Sequence, residues 1–107
     1  MIAKEKVREI HEKACAAKEE ISVRAGLYRM SELPEPGEAV AALYATVEAL
    51  SRDELFDLAA IMWLGRGDFD SFVDARDYAD AMKPSAGYVL AKSPLHRYLG
   101  KVIEQVP

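Results

Sequence analysis

Leu58-Ala59-Ala60-Ile61-Met62-Trp63-Leu64-Gly65-Arg66-Gly67-Asp68 carries a helix with almost no polar face directly into a charged, glycine-bracketed turn. A helix that rests on the surface of a globular protein keeps one polar side toward water, and the run from Leu58 to Leu64 has none. It therefore predicts a helix buried on more than one side, at the centre of the fold. Leu55, Leu58, Ala59 and Met62 share one face of it, while Phe56, Ile61, Trp63 and Leu64 cover other directions. Gly65 or Gly67 can take the left-handed conformation that ends the helix, and Asp68 is placed to cap the next one. Trp63 and Arg66 stand at i, i+3, a spacing that lets the guanidinium reach the indole while Asp68 or Asp70 offers a carboxylate. Two readings of the turn stay open: an arginine that ties two helices together, or an exposed anchor for a partner, since Trp and Arg are enriched at binding hot spots.

Upstream of this run, Ser51-Arg52-Asp53-Glu54 forms a capping box, in which the serine hydroxyl and the glutamate carboxylate satisfy each other's orphan amides and start the helix. Val40, Leu43, Val47 and Leu50 mark the buried face of a preceding helix. Between residues 27 and 37, Pro34 and Pro36 read as an ordered loop that enters this helix with Pro36 near its first turn. The first helix is the longest. Ala3, Val7, Ile10, Ala14, Ala17 and Ile21 recur at alternating spacings of four and three, a narrow seam ending near Ala25 with Gly26 as its C′ residue. About three heptads containing three alanines are short and thin for a self-sufficient coiled coil. The seam has two destinations: the Val40, Leu43 and Val47 face of the same chain, or a close-packed helix of a homodimer mate or other protein partner.

Downstream, Phe69, Phe72, Val73, Arg76, Ala79 and Met82 are expected on a fourth helix that Pro84 ends. Residues 85–91 read as a short helix, and Ser93-Pro94 as an N-cap with an N1 proline opening a last helix through Leu95, Leu99, Val102 and Val106. No alternating strand pattern and no internal repeat appears. The expected fold is all-α, a compact bundle of five or six helices around the Leu55–Leu64 helix. At 107 residues and 50% apolar, residues 1–107 suit a single helical domain.

Charge and composition remove several functional classes. The net charge of -4 is segregated: residues 1–30 hold seven Lys/Arg against five Glu, residues 31–82 three Arg against twelve Asp/Glu, and residues 83–107 four Lys/Arg against one Glu. A helix–turn–helix reading fails here, because its second helix would approach phosphates with Asp70, Asp74, Asp77 and Asp80 against Arg76, so duplex DNA is not an expected partner. Arg97 and Lys101 share a face of the last helix near His96 and Lys92, a small cationic footprint. The single Cys15 and the absence of an apolar leader point to a reducing cytoplasm, and no apolar run approaches the roughly 18 residues of a membrane span. His11, Cys15 and Glu19 share a helix face, yet structural zinc needs about four convergent ligands, so no metal is expected. Phosphate-loop, nucleophile-elbow and zinc-protease motifs do not occur, and no cofactor is implied. Asp70, Asp74 and Asp77 read as a solvated acidic face.

The order Ala3 to Ile10, Leu50-Ser51-Arg52-Asp53-Glu54-Leu55, Met62 to Asp68, and Gly87 to Leu95 followed by Tyr98-Leu99 resembles the bacterial domain-of-unknown-function family 3775. Its specific parts are the Trp63–Asp68 run and the Tyr88-x-Leu90-x-x-x-Pro94-Leu95 arrangement. The resemblance implies a small bacterial protein and brings no reaction, cofactor or catalytic residue with it. Gly100-Lys101-Val102 stands where the family pattern has an acidic segment.

The expectation that follows is a small cytosolic protein-interaction or regulatory module without catalytic activity. Its candidate contact residues are Trp63, Arg66, Asp68, Arg97 and Lys101. The alternatives are a nucleic-acid-binding accessory protein that uses the basic C-terminal helix, or a small-molecule-binding or enzymatic domain without a recognisable motif.

Overall fold

A computed structural model describes residues 1–27, 37–92 and 94–105, with side chains except those of residues 24–27. It contains α1 (Lys4–Leu27), α2 (Glu38–Glu48), α3 (Arg52–Arg66), α4 (Phe72–Met82), α5 (Ala86–Leu90) and α6 (Leu95–Val102), closed by a 3-10 turn over Ile103–Gln105. The described residues hold no strand, and the bundle is all-α. The loop expected before α2 falls on residues 28–36, outside the described residues, as do Ser93 and Val106.

Helix α3 is the centre, as its composition requires. Every residue from Phe56 to Trp63 is buried, and the helix packs on α4, α5 and α6. Its start is the expected capping box: Ser51 Oγ accepts from the Glu54 amide at 3.2 Å, and Glu54 Oε1 accepts from the Ser51 amide at 3.0 Å. These bonds hold the Glu54 carboxyl below the usual carboxylate range, the Ser51 backbone amide contributing most. At the other end Gly67 adopts φ 87°, with its amide donating to Leu64 and that of Asp68 donating to Trp63. The two glycines divide the work. Gly65 stays helical and lets α6 approach, because a Cβ there would lie 1.8 Å from the Tyr98 carbonyl oxygen.

The seam of α1 is part of the core. Val7, Ile10, Ala14 and Ala17 are buried, and α1 packs on α2 and α6, where Leu43, Val47 and Leu99 meet it in one hydrophobic cluster. This corrects the seam as a route to a dimer: its residues are already covered within the chain. The seam also shifts at both ends. Ala3 is exposed and Ile2 takes the buried position, while Ile21 is 50% exposed. Gly26 lies inside α1 rather than after it, since one glycine costs a helix only about 1 kcal/mol against alanine. Glu20 caps α2 from α1, its carboxylate accepting from the Val40 amide at 2.9 Å and the Ala39 amide at 3.4 Å.

The second half of the chain departs from the sequence reading in register. Asp68 does not cap α4; Ser71 does, accepting from the Asp74 amide at 3.2 Å. Phe69 therefore precedes the helix. The buried residues of α4 are Ala75 and Ala79, with Phe72 packed partly against the core, while Val73 and Met82 are exposed. Two small residues let α4 lie close against α3. Lys83 ends α4 at φ 53°, immediately before Pro84, which disfavours the right-handed region at the residue it follows. Ser85 caps α5 by accepting from the Tyr88 amide. Pro94 is itself the N-cap of α6, one place earlier than the expected N1 position.

Among the described residues, one charged side chain is buried in this core. Asp57, 4% exposed in the middle of α3, accepts from the Ile2 amide at 2.7 Å and from Arg76 Nε at 2.7 Å. Arg76 also reaches Asp53 and Asp80, and its guanidinium sits 5.4 Å from the centre of the Phe56 ring. Burial works against the charged guanidinium, but the bonds to Asp57 and Asp80 outweigh it and raise its pKa. The pair ties the start of the chain, α3 and α4 together. Among the described residues no buried side-chain polar atom lacks a partner.

Candidate interaction surface

The turn after α3 opens an aromatic cleft. Trp63, Phe69, Tyr78 and Tyr88 line it together with Arg66 and Asp68, enclosing about 260 Å³. α3 supplies Trp63 from its last buried turn, the connection to α4 supplies Phe69, and α4 and α5 supply the tyrosines. The rings are in contact. Trp63 meets Tyr78 edge-on with centroids 5.0 Å apart and Tyr88 at 6.2 Å, and Phe69 lies 5.4 Å from Tyr78. Such pairs add about 0.5–1.5 kcal/mol each beyond area burial, so the cluster fixes the mouth of the cleft firmly.

Within it Trp63 is 2% exposed and acts as the floor, whereas Tyr78 is 48% exposed and forms the accessible wall. Arg66 does not lie over the indole as the i, i+3 spacing suggested. Its Nε donates to Asp68 Oδ2 at 3.0 Å, a local pair at the rim, because the indole is already covered by Tyr78, Phe69 and Tyr88. Among the described residues, the cations over rings are instead Arg52 and Arg76 at Phe56 and Lys92 at Tyr88, the last with Nζ 4.3 Å from the ring centre. A half-exposed Arg–Asp pair of this kind contributes little to stability.

Three of the sequence-derived contact residues are thus brought together: Trp63, Arg66 and Asp68 line one cleft. Arg97 and Lys101 do not join them; they are exposed one turn apart on α6. The sequence reading missed Tyr78 and the outward face of α4. Val73 is 66% exposed, Met82 is also exposed, and Tyr78 lies between them. The signal was present in Ala75 and Ala79, since the small residues of a helix mark the side that can approach a neighbour closely. Around the helix Asp74 and Asp77 stand exposed between Val73 and Tyr78, and neither forms an ion pair among the described residues.

Titratable groups elsewhere do not converge. His11 Nε2 lies 3.7 Å from Cys15 Sγ, and among the described residues no three His, Cys, Asp or Glu side chains gather around a point that could hold a metal ion. His96 is held below the usual histidine pKa by burial first, then by Arg97, Lys18 and His11. No helix among the described residues is long and apolar enough to cross a membrane.

Fold and surface together define an all-α bundle with an aromatic cleft beside the exposed side of α4. The chain belongs to the family described as protein of unknown function (DUF3775), whose model matches residues 40–106. The match runs from α2 to the end of the bundle and includes the whole cleft. It leaves α1 outside, so the similarity seen at Ala3–Ile10 is not part of it. No curated protein and no solved structure matches the chain.

Proposed function

We propose that the protein is a cytosolic interaction module of a bacterial cell, presenting the aromatic cleft and the outward face of α4 to a protein partner and catalysing no reaction of its own. The observation that carries this reading is the face of α4 itself. Val73, Tyr78 and Met82 are large, apolar and exposed on a helix whose inward contacts are made by Phe72, two alanines and one arginine. Single exposed apolar residues need no explanation, but the solvent side of α4, where Asp74, Asp77 and Ala81 run between Val73 on one flank and Tyr78 and Met82 on the other, borders an aromatic cleft with a charged rim and has the composition of a contact site. Tyr78 is the expected hot spot, since it is rigidly backed by Trp63 and carries a polar tip.

The test is site-specific photo-crosslinking in cells. A crosslinking residue in place of Val73 is expected to give discrete protein adducts that Asp77→Lys removes, while the same residue in place of the exposed Glu12 gives none. Equal adducts at the two positions, or none at position 73, contradict the reading.

A further inference from the structure

A second apolar surface lies on the other side of Lys92. Between α1, α2, α5 and the start of α6 a groove of about 170 Å³ is floored by Leu43 and Leu95 and edged by Ile21 and Tyr44, both exposed. Its rim carries two cations, Lys18 and Lys92, and among the described residues no Asp or Glu lines it. Neither forms an ion pair among the described residues, and Lys92 is held instead over the Tyr88 ring. The exposed side of α4 is the converse: the carboxylates of Asp74 and Asp77, in no ion pair among the described residues, run between Val73 on one flank and Tyr78 and Met82 on the other. An apolar groove with unmatched cations and a helix side whose unmatched anions are flanked by apolar residues are complementary in both respects.

Within one molecule they cannot meet. α4 is fastened to α3 through Ala75, Ala79 and the Arg76–Asp57 pair, which directs its acidic face away from the bundle, and no α4 residue lines the groove.

We propose that the groove between α1, α2 and α6 receives α4 of a second copy of this chain, with Lys18 and Lys92 facing the Asp74 and Asp77 carboxylates of that copy. The contact joins two different surfaces and is heterologous unless the two copies exchange helices reciprocally. Its electrostatic part is exposed, so association weakens as salt rises. The proposal rests on α4 being a contact surface, and it adds the identity of the occupant.

Charge exchange followed by sedimentation tests it. Wild type is expected to self-associate below about 1 mM and to dissociate in high salt. Lys18→Glu/Lys92→Glu and Asp74→Lys/Asp77→Lys, each checked for helical content, should each weaken association by about tenfold or more. Mixing the two variants restores it, because each then meets the opposite charge, and a single chain carrying all four changes self-associates again. A wild type that stays monomeric to that concentration overturns the proposal. So does a wild-type assembly that neither variant weakens, or one that mixing fails to restore. If wild type is monomeric while position 73 still crosslinks to a different protein in cells, the interaction reading stands and only the second copy is wrong.

Discussion

Helices α3 and α4 pack on each other and break the usual apolar-in, polar-out pattern in opposite directions. α3 buries a carboxylate, Asp57, in a run that is otherwise apolar; α4 exposes Val73, Tyr78 and Met82 while alanines face the core. The first departure has an evident structural reason, because Asp57 receives the Ile2 amide and the Arg76 guanidinium and so joins three parts of the chain. The second is explained only at Tyr78, whose ring packs edge-on against Trp63; Val73 and Met82 stay exposed, and their apolar area is surplus to folding. The contrast separates what holds this protein together from what it offers to others.

The most damaging change to the folded side of this comparison is Trp63→Ala. Removing an indole that is buried and touched by three other rings is expected to cost about 3–5 kcal/mol in chemical denaturation. A loss below about 1 kcal/mol would move Trp63 from the floor of the cleft to its surface.

Asp57→Ala comes next, at about 3–5 kcal/mol, because it strands the Arg76 charge and the Ile2 amide. The sharper measurement is the double variant Asp57→Leu/Arg76→Met, which should lose less than Asp57→Ala alone, since the buried charge is removed with its partner. A double variant worse than the single one would mean that the pair contributes net stability rather than specifying how α3 meets α4. Ser51→Ala should cost about 1 kcal/mol, the ordinary worth of an N-cap, and serves as a calibration on an exposed part of α3.

The two helices also differ in how legible they were. α3 was readable from Ser51 to Gly67, because a capping box, an unbroken apolar run and a glycine each specify local structure without tertiary information. α1 and α2 were readable as faces, and the partner of the α1 seam is the one offered by Val40, Leu43 and Val47. α4 was legible as a helix ended by Pro84 but not in its orientation, because the side that faces α3 is set by the close approach of Ala75 and Ala79 and by the demand of Asp57 for a cation. Asp57 itself gave no local signal, since an acid in the first turns of a helix is ordinary, and the arginine that answers it lies nineteen residues away. The candidate site was half legible for the same reason. Trp63, Arg66 and Asp68 are neighbours in the chain and could be named, whereas Tyr78 and Tyr88 come from later elements and join them only through packing. Nor did spacing decide Arg66, which found Asp68 because the indole was already occupied.

The smallest expected stability change is also the most telling. Val73→Gln/Met82→Gln keeps good helix formers at two exposed positions, so denaturation should place it within about 0.5 kcal/mol of wild type. A larger loss would mean that the outward face of α4 supports the fold after all.

Sedimentation equilibrium of the folded Val73→Gln/Met82→Gln protein beside wild type bears most directly on the division between a folding helix and a contact helix. Wild type is expected to self-associate in a salt-sensitive manner and the variant to sediment as a monomer at the same concentration. Association of the variant that equals that of wild type would contradict the account.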